Sequence, residues 1–281
     1  MRIFICIALI IFISVSGLVH AEQKEALIFG VHPFKNPRQI YRMFKPITQY
    51  ISEKAHRPVK IVIGKSYEDI ISKHEQGLVD FGYFGPVPYV KAQSLTKIIP
   101  LARIQNNGRG AFRGAIVVKA DSKIKSLNQL KGKSFAFGDP ESTLSHYVPH
   151  YMLMQSGVYL EDLSNYIFTS SHDNVAGNVL HGIVEAGGLK PTIAKKYLER
   201  GLKILTRSPW IPEHLFAANS NLNKEDIKLL KNILLNADIS TLKAIKSSIT
   251  GMEPAKSSDY DELRKIMNDV NTLDPISPTS K

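Results

Sequence analysis

Cysteine is nearly absent: the single thiol, Cys6, lies within the first ten residues. Without a second cysteine there is no disulfide to staple the fold, and thiolate nucleophiles and cysteine-ligated metals are excluded from the body of the chain. Tryptophan occurs once, at Trp210. No Gly-x-Ser-x-Gly elbow is present, and His74-Glu75 lacks the second histidine, four residues after the first, that a zinc peptidase helix requires. The remaining histidines are scattered. Beyond the N-terminus no apolar run approaches the about 20 residues needed to span a bilayer. No stretch combines dense Lys/Arg with interleaved aromatics, so no nucleic-acid partner is expected.

What is present begins with an export pattern. Arg2 precedes an apolar run from Ile3 to Leu18, followed by Val19-His20-Ala21 and then Glu22. That charged, apolar, small-residue order marks a cleavable secretory signal. Residues 1–21 are read as a signal peptide cut after Ala21, with an uncleaved anchor as the alternative. The periplasm is the expected location. No lipid-attachment cysteine follows the signal, which fits a free rather than a tethered protein. The whole chain carries 36 basic and 25 acidic residues, a net charge of +11. This balance suits anionic partners, although lysines that merely solvate helix faces account for most of it.

Short apolar runs alternate with amphipathic stretches, the pattern of βα units around a mainly parallel sheet. Strands are expected at 26–31, 59–63, 79–83, 116–118 and 134–137, with another beginning at Tyr166. Helices are expected at 39–55 and 67–76, and a further one from Ser142. From Asn223 onward Ile227, Leu230, Ile233 and Leu234 recur at helical spacing, and the pattern becomes mostly helical. The Ser/Pro/Thr-rich tail at 275–281 reads as disordered. The expected architecture is α/β with two lobes, 22–112 with 205–274 forming the first and 113–204 the second. The chain would cross twice between them and leave a ligand cleft at the crossing.

Four segments lie in register along this frame. They are Gly64-Lys65-Ser66-Tyr67-Glu68-Asp69-Ile70-Ile71, Leu78-Val79-Asp80-Phe81-Gly82-Tyr83-Phe84-Gly85-Pro86, Gly138-Asp139-Pro140-Glu141-Ser142-Thr143 and Ser208-Pro209-Trp210-Ile211-Pro212. In this order and spacing the chain resembles the periplasmic phosphonate/phosphite/phosphate-binding proteins of ABC transporters, a branch of the type II periplasmic binding fold. The resemblance implies a monomeric solute-binding component that holds a small oxyanion for an inner-membrane permease. It implies no catalysis, no cofactor and no bound metal. Two alternatives stay open. The same fold can feed a membrane sensor kinase, or it can carry a metal, for which His146, Tyr147, His150 and Tyr151 would be the ligands.

A helix opening at Ser142-Thr143 exposes unpaired N–H donors and the positive end of its dipole, which favours an oxyanion, although such hydroxyls commonly only cap the helix. The resemblance assigns Ser142 and Thr143 to the ligand's oxygens. Leu144 stands where the family has a third hydroxyl, and Ser145 is the candidate replacement. Tyr67 matches a liganding tyrosine of the opposite lobe. Phe112 falls where a second such tyrosine is expected and has no hydroxyl, while its neighbour Arg113 offers five donors. His172 matches a histidine that donates to the ligand.

Binders of aminoalkylphosphonates surround the ligand's ammonium with two acids, because a buried cation needs opposite charge. Those positions fall near Thr192 and on His214 here, neither with a fixed negative charge. A ligand with a small or uncharged tail is therefore expected. The candidate ligand set is Tyr67, Phe112, Arg113, Ser142, Thr143, Ser145, His172 and His214. Trp210 is either a pocket wall or packing at the lobe crossing.

Overall fold

A computed structural model describes residues 25–276. The expected signal peptide and residues 277–281 of the expected tail lie outside the described residues. The chain opens with β1 (Leu27–Val31), α1 (Pro37–Ala55), β2 (Val59–Ile63), α2 (Tyr67–Glu75), β3 (Phe81–Phe84), α3 (Pro86–Leu95) and β4 (Ile98–Asn106). A short β5 (Ala111–Phe112) leads into β6 (Ala115–Lys119), β7 (Ser134–Phe137), α4 (Val148–Gln155), β8 (Asn165–Phe168), α5 (His172–Leu180), β9 (Ala186–Leu189), α6 (Pro191–Leu198) and β10 (Leu202–Arg207). The return runs through β11 (Ile211–Pro212) to β12 (Leu215–Asn219), α7 (Lys224–Leu235), α8 (Ile239–Lys243), β13 (Ile249–Pro254) and α9 (Asp261–Leu273).

These strands form two large sheets. One has the order β13-β4-β12-β3-β1-β2 and the other β10-β6-β9-β7-β8, and β5 pairs with β11 between them. Both sheets are mixed rather than mainly parallel as the sequence pattern suggested. β1, β2 and β3 run parallel, as do β7, β8 and β9. β12 and β6 enter their sheets antiparallel to these, because each belongs to a segment that has just crossed between lobes. β10 pairs with β6 as far as Arg207, so the division expected at residue 205 cuts a strand, and the chain leaves the second lobe only after Arg207. The mostly helical region expected after Asn223 also contains β13, an edge strand whose Gly251 and Pro254 hide its character, since such residues are tolerated at an edge.

Local chemistry explains the helices that frame the cleft. Asn36 caps α1 by accepting the Gln39 N–H at 3.0 Å, and Pro37 supplies a first-turn residue with no N–H to satisfy. Ile40, Phe44, Ile47 and Ile51 recur on one face and are fully buried. Phe44 meets Phe29 of β1 with ring centroids 5.4 Å apart, and Phe29 packs in turn on Phe81 and Phe216. Burial of each such ring contributes about 2–3 kcal/mol, so this aromatic stack anchors the first lobe. α9 packs against α3 on one side and α4 on the other, tying the two lobes together along the back. No helix among the described residues is long and apolar enough to cross a membrane.

Candidate ligand-binding cleft

The parallel strands of both sheets end at one cavity. His32 follows β1, Lys65-Ser66 follow β2, Gly85 follows β3, Asp139, Glu141 and Ser142 follow β7, Ser170-Ser171 follow β8 and Lys190 follows β9, and all of them line a cleft of about 580 Å³. Ligands of open α/β sheets bind outside the carboxyl ends of the strands, and here two such sheets face each other across the same space. α2, α3, α5 and α6 also begin there, so the positive ends of several helix dipoles converge on it.

Gly138 makes the sharp turn out of β7: a Cβ at this position would stand 2.5 Å from Ser145 Oγ. The following chain forms one π-helical turn, Thr143–Tyr147, and continues into α4. The Ser142 hydroxyl accepts the Ser145 N–H at 3.2 Å, so it does act as a cap. The Thr143 hydroxyl accepts the Val87 N–H of α3 at 3.0 Å, a bond from one lobe to the other. Each hydroxyl uses a lone pair in these bonds and keeps its own proton to donate. Lys91 of α3 and Glu141 add a second bridge between the lobes at 2.5 Å.

His172 is held by the backbone. Its Nδ1 accepts the Lys190 N–H at 3.2 Å, so the ring proton lies on Nε2. Burial first, and then the nearby Lys190 charge, lower its pKa from 6.5 to about 3, which keeps the ring a neutral donor. His32 is likewise lowered to about 3 by burial and by the His214 charge. Its ring lies 4.4 Å from Tyr67 and 5.1 Å from Phe34. Tyr67 opens α2 and lines the cleft; burial and the carboxylates of Asp139 and Glu141 raise its phenol, so the hydroxyl keeps its proton. His214 stacks on Tyr83 at 5.3 Å with Phe112 edge-on at 5.5 Å.

Beneath His214, Glu213 accepts from its Nδ1 at 2.9 Å and from Lys246 at 3.2 Å. Burial alone would raise the Glu213 carboxyl, but the His214 bond and charge and the Lys246 charge hold it at about 2. Lys190 lines the same cleft from the second lobe, with no salt-bridge partner among the described residues. Its pKa is lowered by burial and by the nearby Lys35 ammonium. The cleft therefore offers free positive charge.

A cavity made of protonated donors, helix starts and a free ammonium, with no nucleophile held by a base, fits anion capture. Residues 29–260 match the family model for the phosphonate periplasmic substrate-binding protein of ABC transporters. The chain belongs to that family. It is a solute-binding protein of an ABC transporter and not an enzyme. The phosphate-import protein PhnD of Mycolicibacterium smegmatis is 26% identical over 86% of this chain and 85% of its own length. A probable phosphite-binding protein, PhnD1, of Prochlorococcus marinus is 25% identical over 85% of this chain and 86% of its own. The crystal structure of PhnD1 from Prochlorococcus marinus with methylphosphonate superposes with a TM-score of 0.77 at 24% identity, covering 90% of this chain and 99% of that one. The two-lobed type II fold is shared.

Of the eight residues expected at the ligand, Tyr67, Phe112, Ser142, Thr143, His172 and His214 line this cleft. Arg113 does not. Its Nε donates to the Ser208 carbonyl at 2.6 Å, and its guanidinium lies 5.5 Å from the Trp210 ring, so it serves the lobe crossing. Ser145 does not either: it is fully buried and its hydroxyl donates to the Gly188 carbonyl at 2.5 Å. Trp210 is half exposed and carries Arg109 over its face at 4.2 Å, which makes it crossing packing. Thr192 lines the cleft beside Lys190. His146 and His150 are buried within the second lobe, with His150 Nε2 paired to Asp274 at 2.8 Å. Among the described residues no three His, Cys, Asp or Glu side chains are grouped to hold a metal.

His32, Lys190, Glu213 and Glu141 were not singled out from the sequence. His32 and Lys190 each stand directly after a strand, and the rule that sites gather at strand ends would have found them. Glu141 lies in the turn after β7, where the same rule points, whereas Glu213 left no such signal.

Proposed function

We propose that the cleft binds a small phosphorus oxyanion without a cationic tail, namely phosphite, phosphate or a short alkylphosphonate, and that the exported chain delivers it as a monomer to an inner-membrane permease. The observation that carries this reading is the pair formed by His172 and Lys190, a neutral ring donor and an unpaired ammonium on the same wall. Charge-assisted hydrogen bonds of this kind are roughly twice as strong as neutral ones.

The oxygens of the anion would be shared between the two lobes. Ser142, Thr143, His172 and Lys190 donate from the second lobe, and Tyr67 and His32 close over the ligand from the first. Lobe contacts already in place, Thr143 to Val87 and Glu141 to Lys91, would hold the closed form that a permease recognises. Thr192, His214 and the nearby Lys190 and Lys246 surround the place where an ammonium tail would sit, and positive charge there disfavours it.

The test is a thermal-shift and calorimetric panel on the mature protein with phosphate, phosphite, methylphosphonate and 2-aminoethylphosphonate. Selective stabilisation by a phosphorus oxyanion lacking the amine is the expected result. Preference for 2-aminoethylphosphonate would refute the specificity, and no response to any phosphorus compound would refute the ligand class.

A further inference from the structure

The oxyanion by itself leaves much of the cleft, and part of its positive charge, unused. A water takes up about 30 Å³ of liquid, so a bare phosphate or phosphite fills only a small part of a cleft of about 580 Å³. The donors assigned to the oxyanion are Ser142, Thr143, His172, Lys190, Tyr67 and His32. Two further cations line the same cleft. Lys35 follows β1 just before the Asn36 cap of α1, and Lys246 follows α8. Among the described residues Lys35 has no salt-bridge partner, and Lys246 meets only the Glu213 carboxylate, at 3.2 Å.

The acids that line the cleft do not match these charges. Glu213 is already shared, since it also accepts from His214 Nδ1 at 2.9 Å. Asp173 pairs with Lys196 at 2.6 Å, and Asp139 and Glu141 lie in the β7 turn, where Lys91 pairs with Glu141 at 2.5 Å. Lys35 and Lys246 stand close enough to Lys190 to act on it. Burial first, then Lys35 and behind it Lys246, hold the Lys190 ammonium below its usual pKa against Asp173 and Glu213. Lys35 and Lys246 belong to the first lobe and Lys190 to the second, so like charges meet across the cleft. Closing the lobes dries the space between them, and their repulsion grows. An oxyanion beside His172 neutralises Lys190 and leaves the first-lobe pair without a counter-charge. An ammonium tail adds to the repulsion and an apolar tail leaves it in place, whereas a second anionic group relieves it.

We propose that the preferred ligand is a short alkylphosphonate whose far end carries a carboxylate, with the phosphonate beside Ser142, Thr143 and His172 and the carboxylate on Lys35 and Lys246. This rests on the oxyanion reading above and names the tail of the ligand. Each ammonium has three donors, so Lys246 keeps its bond to Glu213 while donating to the carboxylate. Most donors to the phosphonate come from the second lobe and both ammoniums for the carboxylate from the first. Such a ligand spans the cleft, draws each lobe by one of its ends and favours the closed form.

Phosphonoacetate and phosphonoacetamide share their shape and differ in the charge of the tail, and calorimetry on the mature protein compares them with methylphosphonate. Wild-type protein is expected to bind phosphonoacetate at least about tenfold more tightly than phosphonoacetamide, the size of a hydrogen bond to a charged group. This preference should shrink as salt is added. Lys35→Gln should narrow the ratio of the two affinities about threefold or more, since one of two ammoniums is lost. The double variant with Lys246→Gln should abolish the preference while phosphonoacetamide still binds. Lys246→Gln also removes a partner of buried Glu213, so a variant that fails to fold leaves Lys35→Gln, whose ammonium has no salt bridge to lose, as the deciding measurement. Equal binding of acetate and acetamide forms by wild type, or an unchanged ratio in folded Lys35→Gln, overturns the tail assignment and leaves the oxyanion reading standing. Failure of methylphosphonate, phosphonoacetamide and phosphonoacetate alike to bind folded wild type overturns the oxyanion reading, and the tail assignment with it.

Discussion

The Lys190 backbone N–H points at Nδ1 of His172 from 3.2 Å, and that bond decides which ring nitrogen keeps the proton. Because the ring titrates only at about pH 3, His172 presents Nε2–H throughout the range in which the protein works. His172→Ala is expected to weaken oxyanion binding by about 1.5–3 kcal/mol, the worth of a hydrogen bond to a charged group. Imidazole nitrogen shifts should show the Nε2–H tautomer down to about pH 5; a His172 titration near the ordinary value of 6.5 would contradict this account.

Lys190 and Arg113 make a contrasting pair. Lys190→Met removes a free ammonium beside His172 and should cost at least about tenfold in affinity for every anion bound, with a weaker salt dependence. Arg113→Met disturbs the contacts to Ser208 and Trp210. It should lower the melting temperature and leave affinity within about twofold. The reverse pattern would restore Arg113 as a ligand.

Ser142 and Thr143 carry structural duties beside any ligand contact. Ser142→Ala loses a cap and should cost about 1 kcal/mol of stability. Thr143→Val leaves the buried Val87 N–H without its acceptor and should cost about 1–3 kcal/mol. The double alanine variant tests the ligand role: unchanged oxyanion affinity in a folded double variant rules these hydroxyls out.

Stability should decline steeply in acid. His32, His74 and His146 are buried, and burial lowers their pKa values to about 3, about 4 and about 3. Unfolded chains bind protons on these rings near pH 6.5 and the folded protein does not. Stability is therefore full above about pH 6.5 and is lost as pH falls toward the folded values. With His172, which burial also lowers to about 3, four such groups give a slope approaching about 5 kcal/mol per pH unit between about pH 6 and 4. Glu213, held at about 2, adds to the loss below its ordinary value of 4.5. Urea midpoints across this range measure the slope, and a flat profile would mean that these rings protonate in the folded state.

Specificity can be tested by adding charge. Thr192→Glu combined with His214→Asp places acids where aminoalkylphosphonate binders have them. The variant should gain affinity for 2-aminoethylphosphonate relative to methylphosphonate by about tenfold or more. No gain would mean that the ligand tail points elsewhere in the cleft.

Much of the frame was legible in the sequence because its signals are local. Alternating βα periodicity marked β1, β2 and β7, and α1 was expected from residue 39, two residues after its start at Pro37. Where local chemistry conflicts with the element, legibility failed. α3 was not among the expected helices: two prolines stand at its start, yet Pro86 sits in the first turn, where no N–H is missed. Pro100 obscured β4, which accommodates it beside an irregular register with β12.

By itself the sequence determined the pairs of strand and helix, the motifs of the family, and six cleft residues: Tyr67, Ser142 and Thr143 within those motifs, Phe112 and His214 next to the crossing, and His172 at a strand-to-helix turn. Tertiary structure decided the rest. It turned Arg113 toward Ser208 and Ser145 toward Gly188, and it brought His32, Lys190 and Glu213 to one cleft from three distant parts of the chain. It also left one oxygen of Glu141 buried and unpaired. The physical reason is the same in each case: periodicity and caps act over a few residues, whereas burial, charge pairing and hydrogen-bond satisfaction depend on which strand ends face each other across the cleft.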